Sequence, residues 1–120
     1  MAVRKRGRRR IVVNNRLFLW WVQEDNDSPN LVLYVVSQDK QFLVQYYLGY
    51  PEETCHLIVI GKEFGGLTDI GGIWRRFRCP QWEASGAITP SSVRSLILWS
   101  LSMEEARIEV DWRGLAKLQP

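Results

Sequence analysis

The chain has 120 residues, 46% of them hydrophobic and 24% charged, which excludes an intrinsically disordered protein and fits one domain that buries about 65% of its unfolded surface. Sixteen Lys and Arg against thirteen Asp and Glu give a net charge of +3, yet six of these cations lie between residues 4 and 10. Residues 11–120 therefore carry a net charge of −3, so the basic character belongs to the N-terminal segment and a uniformly basic, polyanion-binding fold is excluded.

The N-terminal segment is predicted to be a flexible basic arm over residues 1–10, followed by a single domain over residues 11–120. Six cations within seven residues can neutralise several phosphates, which would give salt-sensitive binding to nucleic acid. A solvated tail that aids solubility is the alternative interpretation. The cations of the arm are Arg4, Lys5, Arg6, Arg8, Arg9 and Arg10.

Six segments have the composition of β-strands, and turn-forming residues separate them. The first two form a hairpin around Asn14 and Asn15, because asparagine tolerates the positive φ of a tight turn. Pro80 ends the last segment, since proline lacks the donor that a strand ladder requires. The predicted strand segments are residues 11–13, 17–22, 31–36, 41–48, 56–60 and 73–79.

One helix is predicted from Pro90 to about Met103. Thr89 supplies an N-cap oxygen, Pro90 stands at the first helical position, and apolar residues then recur at helical spacing. Residues 104–120 carry both a capping-box pattern and strand alternation, and we favour a last, half-buried strand. The sequence thus predicts an α+β fold: a twisted, mainly antiparallel sheet of six or seven strands with this one principal helix packed on it.

Two of the strand segments, residues 17–22 and 31–36, are apolar on both faces. A helix of about fourteen residues is only about 20 Å long and shields one face of a few strands. Trp74, Trp82 and the loops would cover the other face, or a homodimer or protein partner would bury it. The candidate interface residues are Phe18, Trp20, Trp21 and Tyr34.

A second basic group lies on the segment from Ile73 to Cys79. If the segment is extended, Trp74, Arg76 and Arg78 project to one side of the sheet and Arg75, Phe77 and Cys79 to the other. Tryptophan beside arginine is typical of a stacking platform for single-stranded nucleic acid. It is also typical of an ordinary sheet surface on which arginine stems pack over tryptophan.

The balance of residues is against an enzyme, and no catalytic residue, metal site or cofactor is predicted. His56 is the single histidine, and its neighbour Cys55 would project to the opposite face of a strand. The glycine-rich segment 61–72 lacks phosphate-loop spacing, so we predict a mobile connection there. Cys55 and Cys79 are too few for a disulfide scaffold; two free thiols are favoured, and a disulfide between them is the alternative.

No export signal or membrane segment is expected, because the longest apolar runs have six residues, and a cytoplasmic location is predicted. Residues 9–22 and 88–97 together resemble small uncharacterised bacterial proteins that open with a basic hairpin ending in Trp-x-Val and close with a Thr-Pro-capped helix. The resemblance implies no activity, ligand or site. The function we predict is a non-catalytic binding protein that uses an aromatic sheet surface for self-association or a protein partner. The alternative is a nucleic-acid-associated protein that uses the arm and the Trp74–Arg78 strand.

Overall fold

A computed structural model describes residues 7–25, 30–67, 74–83 and 87–117 of the chain. Within these residues the chain forms one seven-stranded sheet and one helix, which confirms the predicted α+β fold. Every strand pairs antiparallel with its neighbours in the sequence, so the order across the sheet is the order along the chain. The strands are β1 (Arg9–Val13), β2 (Arg16–Glu24), β3 (Leu31–Ser37), β4 (Leu43–Tyr47), β5 (His56–Val59), β6 (Arg75–Arg78) and β7 (Glu109–Val110).

The first hairpin turns at the two asparagines, as predicted. Asn14 and Asn15 have φ angles of 52° and 64°, and Val13 pairs with Arg16 on either side of them. Two successive residues at positive φ give the turn whose twist matches that of the flanking strands. The domain begins earlier than predicted, because Arg9 and Arg10 pair with Trp20 and Leu19 and so belong to β1 rather than to a flexible arm. Residues 1–6 lie outside the described residues.

The helix α1 (Pro90–Leu101) is capped at its start by Thr89, as predicted. The Thr89 hydroxyl accepts the amide of Ser92, and the Ser92 hydroxyl accepts the amide of Thr89, so two amides of the first turn are satisfied. The helix ends two residues before the predicted Met103. At that end Arg107 donates to the carbonyls of Trp99, Ser100 and Ser102, which helix geometry leaves without partners.

The predicted last strand is shorter than its alternating pattern implies. Only Glu109–Val110 pair with β6, because the Asp111 carboxylate then accepts the amides of Arg113 and Leu115 and turns the chain. Gly114 completes the turn at a φ of 82°, a conformation that side chains disfavour. The chain returns so that Ala116 bridges back to Val110.

The core lies between α1 and one face of the sheet, which we call the helix side. From α1 it receives Val93, Leu96 and Ile97, all fully buried. From the sheet it receives residues that alternate along the strands, as the pleat of a strand requires. These buried strand residues include Val13, Phe18, Trp20, Leu33, Val35, Val44, Tyr46, Leu57, Val59 and Phe77.

The described half of the glycine-rich segment is fixed rather than mobile. Gly61 and Lys62 donate their amides to Leu43 and Gln41 at the start of β4, and Gly65 donates to Ser100 at the end of α1. A Cβ on Gly65 would collide with the backbone carbonyl of Ser102, so the close approach requires glycine. Residues 68–73 lie outside the described residues.

Candidate functional site on the open face of the sheet

The face of the sheet opposite α1, which we call the open face, carries the other half of the strand residues. Strand alternation and the pairing register assign them. Most are only half-buried, whereas most helix-side residues of β3 to β6 are buried. From β2 to β6 the open face presents Leu17, Leu19, Trp21, Gln23, Val32, Tyr34, Val36, Leu43, Gln45, Tyr47, His56, Ile58, Arg76 and Arg78.

An aromatic stack stands near the centre of the open face. The rings of Trp21 and Tyr34, paired across β2 and β3, are 5.2 Å apart between centroids and inclined by only 3°. The guanidinium carbon of Arg8 lies 4.5 Å from the centroid of Trp21. Because β1 and β3 flank β2 on opposite sides, Arg8 and Tyr34 approach the indole from opposite sides. Both ring faces of Trp21 are therefore occupied.

The polar edges of this stack are satisfied by Gln23. The indole Nε1 of Trp21 donates to Gln23 Oε1 at 3.0 Å. Burial and the nearby Asp25 carboxylate raise the pKa of Tyr34 above its ordinary 10.0, while the hydrogen bond with Gln23 opposes the shift. When a partner covers the stack, the indole N–H of Trp21 keeps its hydrogen bond to Gln23. The free-energy cost of removing the stack from water is therefore lower.

Beside the stack runs an apolar band that three strands contribute. Leu19, Val36 and Leu43 are aligned by the register of β2, β3 and β4, and each is half-buried. The corresponding row on the helix side is Trp20, Val35 and Val44, which are 5%, 0% and 0% exposed. The sheet therefore carries equally apolar rows on its two faces, and only one of them is fully covered.

The end of the open face near β5 is covered by two short connections. His56 is 2% exposed and its Nδ1 donates to the Thr54 carbonyl at 2.7 Å. Tyr50 packs its ring edge-on at 5.0 Å from His56, and Gly114 approaches the Thr54 carbonyl so closely that a Cβ would collide with it. Burial, with a smaller contribution from the cation of Arg76, lowers the pKa of His56, so this imidazole is a neutral, satisfied core group.

Four arginines flank the aromatic and apolar centre. Arg8 and Arg10 lie at the β1 end, and Arg76 and Arg78 lie on β6, opposite Ile58 and His56. Among the described residues none of the four forms an ion pair, whereas on the helix side Arg16 binds Glu63 and Asp39 and Arg75 binds Glu109. Two carboxylates lie close enough to the open face to raise pKa values there: Asp25 raises that of Tyr34, and Asp111 opposes the lowering of that of His56. Five strand spacings, about 24 Å, separate the two arginine pairs.

The structure divides the predicted interface residues between the two faces. Trp21 and Tyr34 lie on the open face, while Phe18 and Trp20 belong to the core on the helix side and are 0% and 5% exposed. A partner would reach Phe18 and Trp20 only by opening that core, so the candidate surface narrows to Trp21, Tyr34 and their open-face neighbours.

The structure also places the residues of the two basic groups. Arg8 and Arg10 join Arg76 and Arg78 on the open face, as described above, and Arg9 turns to the helix side, where its guanidinium carbon lies 5.5 Å from the Trp20 ring centroid. Trp74 precedes β6 and is 59% exposed. The remaining predicted cations, Arg4, Lys5 and Arg6, lie outside the described residues.

The expectation that Trp74 and Trp82 cover the second face is wrong. Trp82 packs on the helix side, with its ring 5.1 Å from that of Tyr46 and 5.6 Å from that of Trp99. Trp74 is too exposed to act as a cover. The aromatic side chain that does fold over the open face is Tyr50, and it covers only the end near His56.

A thiol pair lies on the helix side. Cys55 and Cys79 are buried, are not disulfide-bonded, and have their sulfurs 4.0 Å apart. Cys55 also lies 3.5 Å from the Tyr46 hydroxyl, which donates to Glu83 at 2.6 Å. Burial raises the pKa of Cys79 and of Tyr46, whereas the hydrogen bond from Cys79 lowers the pKa of Cys55.

This thiol pair does not form a nucleophilic site with the histidine. Cys55 faces α1 and His56 faces the open side, so a thiolate–imidazole pair is not formed. Among the described residues no group of three or more His, Cys, Asp or Glu is placed to hold a metal ion. In the same part of the chain no helix has the length and apolarity needed to cross a bilayer.

Sequence reasoning missed the roles of Gln23 and of the band formed by Leu19, Val36 and Leu43. A signal was available, because the Asn14–Asn15 turn fixes Val13 opposite Arg16 and hence the face of every residue in β1 and β2. The same argument puts Trp20 on the face of Val13 and Trp21 on the opposite face, but it does not say which of the two faces meets α1.

Comparison with known proteins identified no relative of this chain. No family model, curated protein or solved structure matches the chain. The case for a function therefore rests on the geometry and charge of the open face.

Proposed function

We propose that this chain is a non-catalytic binding protein whose open face docks a protein partner. The observation that carries the proposal is the half-buried apolar part of that face, where Leu19, Val36 and Leu43 adjoin the Trp21–Tyr34 stack. Tryptophan, tyrosine and arginine are the residues on which protein interfaces depend most. The stack is held rigidly by cross-strand pairing and by Gln23, so it loses little side-chain entropy on binding.

A cytoplasmic location belongs to the same proposal. The sulfurs of Cys55, just before β5, and Cys79, just after β6, lie 4.0 Å apart and are not joined in a disulfide. Free thiols close together are typical of proteins in a reducing compartment. Their inaccessibility, together with the separation of Cys55 from His56, supports a binding role over a catalytic one.

The proposal is tested by site-specific photo-crosslinking in the source cells. A photo-reactive residue replaces Val36 on the open face, and in the control it replaces Leu98, which is 39% exposed on α1. We expect a discrete crosslinked protein at Val36 and none at Leu98, and we expect Leu19→Glu to abolish the Val36 product. Equal products at both positions, or none at either, would reject the open face as a docking surface.

The second candidate, a nucleic-acid-associated protein, is favoured by the arginines and by Trp74, which is 59% exposed beside β6. Its test is fluorescence anisotropy with a single-stranded oligonucleotide on the full chain and on a chain that begins at Arg9, which retains β1. Binding of the full chain that weakens about ten-fold or more between 50 and 200 mM salt, and that is lost on truncation, would favour this candidate. Absence of binding at low salt would reject it.

A further inference from the structure

We infer that two copies of this chain pair edge to edge through β1, so that their two sheets join into one. β1 is the first strand of the sheet, and within the described residues only β2 pairs with it. The free edge of a strand offers a row of N–H and C=O groups that a second strand can bind. The edge is a different surface from the open face, so the inference goes beyond the proposed function.

The two edges of the sheet differ in how their backbone groups are bonded. At the far edge the chain folds back on β7, so that the amide of Lys117 donates to the carbonyl of Glu109. Beside this bond the amide of Asp111 donates to the carbonyl of Leu115. The outward backbone groups of the β7 edge are thus bonded by the chain itself. At β1 no backbone group in the described part of the chain bonds to the outer edge.

The direction of the backbone groups of β1 follows from the neighbouring strand. In β2 the carbonyl of Leu17 accepts an amide from the residue just after β3, so the groups of Leu17 point to β3. Successive residues of a strand turn their groups to alternate edges, so Phe18 faces β1, where its partner is Ile11. The same alternation in β1 turns the groups of Arg10 and Val12 outwards, away from the sheet.

These outward groups select one register for the pair of strands. Two antiparallel copies of β1 bond only where outward groups meet, so an axis that keeps them overlapped passes through Arg10, Ile11 or Val12. An axis at Arg10 sets two arginines opposite each other, which is destabilising. An axis at Val12 sets Arg10 opposite the partner's Asn14, which lies in the turn. An axis at Ile11 overlaps the whole strand and pairs Arg10 with the partner's Val12.

The side chains of β1 suit the axis at Ile11. On the helix side Ile11 meets the partner's Ile11, in a pair whose Cα atoms are about 4.5 Å apart. Arg9 lies opposite the partner's Val13 and Arg10 opposite the partner's Val12, so no arginine directly faces another. Val12 is 60% exposed in the single chain, and the pairing removes part of this apolar surface from water.

The contact is small, because it involves the five residues of β1 in each copy. A small contact gives a weak dimer, with an expected dissociation constant of about 10–100 μM. Both copies bring Arg9 and Arg10 to the contact, and salt screens their mutual repulsion. Salt should therefore strengthen the dimer, whereas it weakens binding to nucleic acid.

Disulfide crosslinking of the full chain tests the register. Ile11→Cys sets two thiols opposite each other across the axis, at a Cα separation that a disulfide spans. Val12→Cys is the matched control, because it is more exposed but lies opposite the partner's Arg10. With oxidised glutathione as the oxidant, Ile11→Cys should form a covalent dimer at least about ten-fold faster than Val12→Cys. Non-reducing electrophoresis measures both rates, and the native cysteines are buried in both variants.

A charge placed at Val12 tests the same contact without a covalent bond. Val12→Glu sets a carboxylate opposite the partner's Arg10, and Val12→Lys sets a second cation there. We expect Val12→Glu to tighten the dimer about three-fold or more and Val12→Lys to weaken it about three-fold or more, measured by sedimentation equilibrium. Leu31→Glu and Leu31→Lys are the controls, since Leu31 is 43% exposed on β3, and each should change the affinity by less than about two-fold. Circular dichroism checks that each variant is folded.

Three results would overturn the inference. The first is a full chain that stays monomeric at about 500 μM while Ile11→Cys forms no covalent dimer. The second is equal crosslinking of Ile11→Cys and Val12→Cys, which indicates random collision. The third is a dimer that Val12→Glu and Val12→Lys affect equally, which means that the copies meet elsewhere. None of these results bears on the proposed function, because the Val36 crosslink reports on the open face.

Discussion

Trp20 and Trp21 are neighbours in the sequence, yet they belong to two different parts of the molecule. Trp20 lies on the helix side among Val35 and Val44 and is 5% exposed. Trp21 lies half-exposed on the open face, with Arg8 and Tyr34 against its ring and its N–H bonded to Gln23. Trp20 thus contributes mainly buried apolar area to the core, whereas Trp21 forms a rigid part of the surface whose N–H is already hydrogen-bonded.

Apolar composition does not by itself mark a core in this sheet. Both faces of β2 and β3 are apolar, but a covering element is present on one side only. On the covered side Arg16 and Arg75 are paired with carboxylates, whereas Arg10, Arg76 and Arg78 on the open side form no ion pair within the part of the chain that the structure describes. What distinguishes the two faces is therefore the treatment of charge and of polar edges rather than hydrophobicity.

The largest effect should come from truncating the two tryptophans. Trp20→Ala should lower the free energy of unfolding by about 3–5 kcal/mol, because it leaves a cavity beneath α1. Trp21→Ala should cost only about 1–2 kcal/mol, since it removes a half-exposed ring and its contacts with Arg8 and Tyr34. Urea unfolding followed by circular dichroism measures both.

Trp20→Phe provides a milder variant in case Trp20→Ala does not fold. It retains most of the buried ring and should unfold at a urea concentration between those of the wild type and Trp20→Ala. Equal losses for Trp20→Ala and Trp21→Ala would show that the open face is as well covered in solution as the helix side.

The next largest loss of stability is expected from replacing Arg107, which bonds the end of α1 to the loop at Gly65. Arg107 lies 4.3 Å from the rings of both Phe64 and Trp99 and donates to the Gly65 carbonyl as well as to the end of α1. Arg107→Met should lower the free energy of unfolding by about 2–3 kcal/mol, because the charge-assisted hydrogen bonds to Ser102, Trp99, Ser100 and Gly65 are lost, although backbone amides still bond the carbonyls of Trp99 and Ser100. Thermal unfolding measures the loss.

Arg94→Met is the matched control, since Arg94 is exposed on the same helix. Its expected cost is below about 0.5 kcal/mol. A similar cost for the two variants would mean that the guanidinium of Arg107 does not secure α1 to the sheet.

A smaller effect, a dependence of stability on pH, is expected from the buried His56 at the covered end of the open face. The pKa of His56 is lowered from 6.5 in the folded state, so below pH 6.5 the unfolded chain binds the proton more readily. The contribution of neutral His56 to the free energy of unfolding should therefore be fully present above pH 6.5. It should decrease as the pH falls from 6.5 to the pKa of His56 in the folded protein, and change little below that. Urea unfolding at half-unit steps between pH 5 and pH 7.5 measures it.

His56→Gln should flatten this dependence, because glutamine does not titrate. Carboxylates with lowered pKa values, Asp39, Asp111 and Glu109, have ordinary values of 3.8, 3.8 and 4.5 and act at lower pH. An unchanged slope in His56→Gln would show that the imidazole is solvated and that Tyr50 and Gly114 do not cover it.

The smallest effect is expected at the thiols of the helix side. Cys55 and Cys79 are 0% and 6% exposed, so neither thiol should be reached readily by Ellman's reagent in the folded protein. Both should react within seconds in denaturant. Rapid labelling of the native protein would show that α1 opens and exposes the core.

Where the sequence carries a local stereochemical signal, the prediction succeeded. The Asn14–Asn15 turn and the Thr89 cap were predicted from residues that satisfy particular backbone conformations. Alternation also placed Arg76 and Arg78 on one side of the segment and Phe77 and Cys79 on the other, and in the structure Phe77 and Cys79 are buried while Arg76 and Arg78 are half-buried. These features depend on neighbours within a few residues of each other.

Features that depend on distant residues were not predicted. Residues 17–22 are apolar on both faces, so alternation alone did not say whether Trp20 or Trp21 faces α1. The strand pattern over residues 107–113 was overridden after two residues, because the side chain of Asp111 takes the amides that a ladder would use. Trp82 packs on Trp99, 17 positions along the chain, and nothing local indicated that contact.

The order of the strands has a consequence for how the protein is made. Each of β2 to β6 meets a partner that has already been synthesised, so the sheet can grow during translation by adding one strand at a time, with little loop-closure cost. The helix breaks this pattern, because α1, near the end of the chain, contacts β1 at its beginning. The nascent sheet would therefore expose apolar residues on both faces until α1 has left the ribosome. The chain should be most prone to aggregate during this interval.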